Sequence, residues 1–334
     1  MRASSFSSCP GRLGLASAGL ALVLCGCSLV EDLDPLHSGG GGAGTTSGTS
    51  TTSSTTSAGS GGGEAGGGGG APDPCVPTAG RLVDCGLLAR YFLDEAASGT
   101  RPAAALDAAP NPLHLPIDYA GGLAYAEHVG QRGLSFPTAA QSGGAFSAAA
   151  GTKLFGLNGS TGGTVEAVLD YEEVTYLGTR IVHLGRDTAA SFSLASAFDW
   201  AMGEPTIDQP TEVQIRAMFA PGAVTAHYDL ALFELGRVVL HGVIDTTRPE
   251  VDQRMRLYLN GVQIPVREYS DDLSPDQGVS FTLSAQDSIG LGNRAIGERS
   301  PRGTLYYGAY YAHPLDQAQI THNVAQLLAD DDAP

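Results

Sequence analysis

The sequence predicts an all-β fold, a two-sheet antiparallel sandwich closed by a short C-terminal helix. Three observations carry this. About a dozen short runs alternate apolar and polar residues, as "GTVEAVLDY", "EVQIRAMFA" and "RMRLYLN" do. Gly, Pro, Asp or Asn separates most of these runs, the punctuation of a many-stranded sandwich. Helical periodicity enters only near the end of the chain, where Asp316 followed by Gln319 makes a capping box and Ile320, Val324 and Leu327 share one face.

Taken in order, the chain opens with Arg2 and Arg12 before a short apolar run, "LGLASAGLALVL", and then "CGCSLV". A basic start, a brief apolar core and small residues make a secretory signal, and the run is too short to span a bilayer as a helix. Leu24, Cys25 and Gly26 before Cys27 resemble a bacterial lipobox. That resemblance implies cleavage after residue 26 and lipidation of Cys27, although Cys25 stands where the pattern usually has Ala, Ser, Thr or Val. An ordinary secretory signal releasing a soluble protein is the alternative. Inserted acyl chains anchor a protein through about 0.8 kcal/mol per buried methylene, and two or more chains suffice. Ser28 lacks the Asp that retains many Gram-negative lipoproteins in the inner membrane, so the expected location is the cell envelope and its outer membrane.

Residues 27–74 then read as a tether. From His37 to Cys75 it is nearly all Gly, Ser and Thr, with almost no apolar side chain to offset the entropy of ordering. As a flexible coil of about 35 residues it spans roughly 30 to 35 Å end to end. The folded domain is expected over residues 75–334. Of five cysteines, Cys9 and Cys25 leave with the signal and Cys27 takes lipid, which leaves Cys75 and Cys85 as an expected disulfide in an exported protein. A zinc site built on those two thiols is the weaker alternative.

Charge narrows the partners. With 18 basic against 35 acidic residues the formal net charge is −17, which argues against nucleic acid and anionic lipid headgroups.

Five ordered pieces resemble the laminin-G-like domains of the concanavalin A-like lectin and glucanase superfamily, from Leu87 to Leu328. They are "ARYFLDEAASGT", with Asp94, Glu95, Ser98, Gly99 and Thr100; "GGTVEAVLDY" at Gly162 to Tyr171; the Asn-Gly hairpin "RLYLNGVQI"; "IGLGN"; and a closing aromatic strand with its short helix. The resemblance implies a jelly-roll of two antiparallel sheets and, in many members, binding of glycans, other polysaccharides or proteins. It also implies a calcium site in some members, for which Asp94, Asp107 and Asn111 are the remnants here. The glycines of the usual segment have become "LDAAPNP", and Tyr306 and Tyr307 stand where an acidic pair is usual.

Catalytic chemistry finds little support. Glycosidases of the superfamily carry Glu-x-Asp-x-x-Glu, and the nearest approach is "EVDQRM", in which Met255 stands at the acid/base position after Glu250 and Asp252. Glu172 and Glu173 are adjacent and would face opposite ways on a strand. His114, His128, His183, His227, His241, His313 and His322 show no metal-ligand spacing. Aromatic residues are the better candidates. In "TLYYGAYYA", Tyr307 and Tyr311 share one face, expected to point outward and stack on a sugar if Tyr306 and Tyr310 point inward, with core packing as the alternative. Trp200, in the turn-like "FDWAMGEP", is either a loop platform or a plug. The expectation is a non-catalytic surface module that binds a glycan, an envelope polysaccharide or a surface protein. A polysaccharide hydrolase or lyase on the same fold, or a structural envelope component, is the alternative.

Overall fold

The computed structural model describes residues 73–94, 101–128, 130–138, 142–173, 179–186, 197–200, 212–219, 222–230, 235–269, 274–294 and 300–331, all within the compact unit Gly68–Pro334. In chain order the strands begin β1 (Leu87–Phe92), β2 (Ala104–Ala105), β3 (Leu115–Asp118), β4 (Ala124–His128), β5 (Gln131–Phe136) and β6 (Gly144–Ala148). They continue as β7 (Gly162–Glu173), β8 (Thr179–Arg180), β9 (Val182–Arg186), β10 (Ala197–Trp200), β11 (Glu212–Phe219) and β12 (Gly222–Asp229). The last six are β13 (Arg237–Asp245), β14 (Met255–Leu259), β15 (Val262–Ile264), β16 (Glu268–Tyr269), β17 (Asp287–Leu291) and β18 (Arg302–Tyr311), followed by the helix α1 (Gln317–Ala329).

Among the described residues two antiparallel layers form the sandwich. The first is one sheet in the order β15-β14-β13-β7-β18-β5-β4, with β1 also paired to β18. The second consists of two pieces, β2-β3-β6-β17-β9 and β16-β12-β11-β10-β8. The run "TRIVHLGR" reads as a single strand in the sequence but serves both pieces: it divides at Ile181, whose carbonyl accepts a hydrogen bond from Gly292 at 2.7 Å. Alternation then builds the core. Val165, Ala167, Leu169 and Tyr171 of β7 face the second layer and pack with Leu240, Leu257, Ile215, Val182 and Leu291. Glu166 and Val168 face the other way.

Two sequence-predicted devices orient the C-terminal part. Asn260 and Gly261 adopt positive φ angles of 47° and 82°, as a type I′ hairpin requires. The Asn260 side chain also accepts a hydrogen bond from the Val239 amide at 2.9 Å, which ties the turn to β13. The capping box of α1 is complete, with Asp316 accepting from Gln319 N and the Gln319 side chain accepting from Asp316 N, both at 2.9 Å. Ile320, Val324 and Leu327 are buried against the outer face of the first layer, where Val168, Val239, Val243 and Tyr258 receive them. Such burial contributes about 2 kcal/mol per side chain.

Beneath α1 lies a buried polar network. The Glu166 carboxylate is fully enclosed. Its Oε1 accepts from His241 Nε2 at 2.7 Å and Asn323 Nδ2 at 3.1 Å, and its Oε2 from the hydroxyls of Tyr307 at 3.0 Å and Tyr311 at 2.8 Å. Four donors match the four acceptor positions of an ionised carboxylate. Arg90 supplies the opposite charge without touching Glu166: its Nε donates to the Tyr307 hydroxyl at 3.0 Å and its Nη2 to the Tyr311 hydroxyl at 3.2 Å. The same guanidinium bonds Asp84 at 2.7 Å and the Val83 carbonyl at 2.9 Å, while the Val83 amide donates to Asn323 Oδ1 at 2.9 Å. Strands β1, β7, β13 and β18, helix α1 and the segment before β1 therefore share one electrostatic knot. Cys75 and Cys85 form a disulfide within that segment, and its Cys75 and Arg81 carbonyls bond Gln319 and His322 of α1 at 2.9 and 2.7 Å.

Burial alone would raise the pKa of Glu166, but His241, Arg90 and the Tyr311 hydroxyl outweigh it and hold the carboxyl below its usual range. A depressed carboxyl stabilises the fold above its unfolded-state value, near 4.3, and that contribution is lost as the pH falls through the lower folded-state value. Two results are expected from urea unfolding between pH 3 and pH 7. Glu166→Gln removes the carboxylate that accepts from His241 and balances part of the Arg90 charge, which Asp84 alone then faces, and loses about 3 to 5 kcal/mol at neutral pH. The difference between variant and parent then narrows on the acid side.

Candidate functional site

The aromatic strand lies on a different surface from the one expected. Tyr307 and Tyr311 do point away from the inter-layer core, but α1 and the disulfide-bearing segment cover that face, and both rings are fully buried. Their hydroxyls serve Glu166 and Arg90, and burial pushes both phenols well above their ordinary pKa. They are parts of the knot and not a sugar platform. Period-two alternation also fails within the strand. The register shifts between Leu305 and Tyr307, so Tyr306 is the extra residue of a bulge and joins Tyr307 in the outer cluster, while Tyr310 alone of the four packs in the inter-layer core. Trp200 ends a strand instead of lying in a turn, paired in register with Thr179 of β8.

Of the three calcium remnants, Asp94 lies half-buried just after β1, and Asp107 is committed to protein partners. Asp107 Oδ1 accepts from the amides of Arg90 and Ala109 at 3.0 and 2.9 Å, and Oδ2 from the Leu113 amide at 2.8 Å. Lys153 Nζ lies 2.6 Å from Oδ2. A carboxylate already saturated by three amides and an ammonium group offers a hard cation no free lone pair. Asn111 occupies an exposed turn at φ 53°, and Glu95, Ser98, Gly99 and Thr100 lie outside the described residues. Among the described residues no three His, Cys, Asp or Glu side chains converge as a metal site.

Glu250 and Asp252 are exposed in the turn before β14, outside any strand. Arg254 builds that turn by donating to the carbonyls of Arg248, Pro249 and Pro275 at 2.8, 2.8 and 2.7 Å. Met255 is fully buried in the core. The two acids therefore decorate a loop that Arg254 holds.

With the outer face of the first layer covered, the second layer offers an aromatic ring of its own. In β6, Ala145 points into the core and pairs with Leu291, so Gly144 and Phe146 share the outer face. Phe146 is half-buried and belongs to neither apolar cluster. Its register partner is Gly290 of β17. A Cβ placed on Gly290 would lie 3.0 Å from Phe146 Cδ1, and one on Gly144 would lie 2.6 Å from Cζ. The ring thus lies across two glycines and occupies the space their side chains would fill. Gly144 pairs across to Asp118 of β3, whose neighbour Ile117 pairs with inward Ala145. Asp118 therefore sits at the edge of the ring. It is exposed, and its Oδ1 accepts from the Ala120 amide at 3.1 Å, an Asx turn that fixes the carboxylate. A partly exposed ring and an exposed carboxylate on adjacent strands can stack on an apolar surface and accept hydrogen bonds at its rim.

Sequence reasoning missed this site because it assigned no strand to "GGAFSAAA" or "LPID". Gly and Ala have low β-propensity; the usable signal was one aromatic residue alternating with glycine and alanine at Gly144, Phe146 and Ala148.

No protein-family model matches the chain, and no curated protein matches it in sequence. Among solved structures, Trypanosoma rangeli sialidase in complex with the inhibitor DANA is 13% identical with a TM-score of 0.48, over 78% of this chain and 36% of that one. Domain 4 of AbnA, a GH43 extracellular arabinanase from Geobacillus stearothermophilus in complex with arabinotriose, is 15% identical with a TM-score of 0.44, over 71% and 98%. The binding domain of botulinum neurotoxin DC in complex with SialylT is 8% identical with a TM-score of 0.44, over 72% and 52%. The chain thus spans about a third of the length of the sialidase. Each likeness is one of β-sandwich fold.

The platform depends on close approach of β3 and β6. A Cβ on Gly143 would lie 1.7 Å from the Asp118 carbonyl oxygen. Gly143→Ala is expected to destabilise the fold by about 1 to 3 kcal/mol, the usual cost of overpacking. Thermal unfolding checks this, and an unchanged midpoint would contradict the close approach.

Proposed function

We propose that the chain is a non-catalytic, lipid-anchored surface module that binds a glycan on the outer face of its second layer. The observation that carries this reading is Phe146. Its ring lies outside both apolar clusters and across two glycines, where core packing gives it no role. A half-buried ring on the outer side of a sheet offers apolar surface that can stack on the face of a pyranose or furanose ring. The charge of −17 directs the choice of partner away from nucleic acid and anionic membrane. The lipobox and the Gly/Ser/Thr tether support display above an envelope membrane, with Cys27 as the anchor and the outer membrane as the favoured location.

Two measurements test the reading. The mature chain lacking residues 1–26 is run on polysaccharide affinity gels and a glycan array. Retention is expected for the parent and should weaken at least tenfold, about 1.4 kcal/mol, in Phe146→Ala, with the thermal midpoint nearly unchanged because the ring lies outside the cores. Retention by neither protein, or measurable cleavage of the polysaccharide, overturns the proposal. In a cell making the full chain, Cys27→Ser should move the protein from the membrane fraction to the soluble fraction; continued membrane association would overturn the anchor.

A further inference from the structure

We infer that the Phe146 platform selects neutral glycans, uncharged hexose or pentose polymers, over sialylated, uronic or sulfated ones; this rests on the glycan-binding reading of the same site. The discriminating group is Asp118. Its Oδ1 is held by the Ala120 amide, and the carboxylate is exposed among the described residues. The exposed carboxylate stands one strand from the ring, on the same face, in register with the glycine that the ring covers. A fixed carboxylate oxygen is a strong acceptor for sugar hydroxyls, since hydrogen bonds to a charged group are about twice as strong as neutral ones. The same charge repels a ligand carboxylate or sulfate brought against it.

Among the described residues, three cations are held by a partner or by burial. Arg101 lies over the Tyr119 ring at 4.0 Å, and the Tyr119 hydroxyl is committed to the Pro102 carbonyl at 2.8 Å. Lys153, the sole lysine of the sequence, is paired to Asp107 at 2.6 Å. Arg294, near β17, is buried. With 35 acidic against 18 basic residues, the long-range field also opposes a polyanion.

The test uses the mature chain with two probe sets at low and high salt. The neutral probes are hexasaccharides of glucose, xylose and arabinose; the acidic probes are polygalacturonate, alginate, heparin and polysialic acid. Neutral probes are expected to bind with little salt dependence, and acidic probes not to bind at low salt. Asp118→Asn keeps the Asx acceptor for Ala120 and should weaken neutral binding about tenfold, while Asp118→Glu should recover part of it. Binding of acidic probes alone, or neutral binding indifferent to Asp118→Asn, overturns this inference and leaves the glycan reading standing. Binding of no probe from either set overturns the glycan reading and the inference with it.

Discussion

The buried carboxylate of Glu166 is the constraint on which the arrangement of this fold depends. An ion enclosed on the outer face of a sheet survives only if every lone pair is used and an opposite charge is near. His241, Asn323, Tyr307 and Tyr311 provide the first condition, and Arg90 provides the second through the two tyrosine hydroxyls. Each group comes from a different element or a different position on β18, so satisfying the charge fixes where those elements sit. Helix α1 contributes apolar contacts that many helices would make, but Asn323 makes its position particular. It joins Glu166 to the Val83 amide and thereby holds the helix and the segment before β1 against each other.

That constraint decides which surfaces remain. Once α1 and the disulfide-bearing segment cover the outer face of the first layer, the tyrosines of β18 are unavailable to any ligand. In the second layer Phe146 keeps part of its ring exposed, and the side chains around it on β6 are small. Gly144 and Gly290 leave a shallow floor on which the Phe146 ring rests, and Gly143 lets β3 approach closely enough to set Asp118 beside it. In the proposed reading, the acidic composition and the single committed lysine favour uncharged partners on this face. Scaffold and site therefore differ in one respect: charge is enclosed on the first layer and exposed at Asp118 in the second.

Much of the scaffold was legible in the sequence. Alternation located most strands, Asn260-Gly261 marked the hairpin, and Asp316 with Gln319 marked the start of α1. The site was less legible, for identifiable reasons. The bulge at Tyr306 breaks the parity on which the reading of the four tyrosines rested, and a bulge is set by strand pairing. Tyr307 was read as an exposed residue because nothing local says that α1 returns over it. Glu166, Arg90 and His241 carry a signal only in retrospect, as charged residues inside otherwise apolar strands, because the pairing that brings them together spans most of the domain. Phe146 was passed over in a glycine- and alanine-rich run with weak strand character. Asp107, in contrast, was found but misassigned: its neighbours in sequence suggested a cation site, whereas its partners in space are Lys153 and three backbone amides.

The most direct test of the central claim is where a neutral oligosaccharide touches the protein. Hydrogen–deuterium exchange of the mature chain, with and without a mixture of neutral hexasaccharides, reads this along the backbone. Protection is expected to be confined to β3 and β6, around Asp118 and Phe146, with β18 and α1 unchanged. Protection centred on β18 or on the loop carrying Glu250 and Asp252, with β6 unaffected, would contradict it.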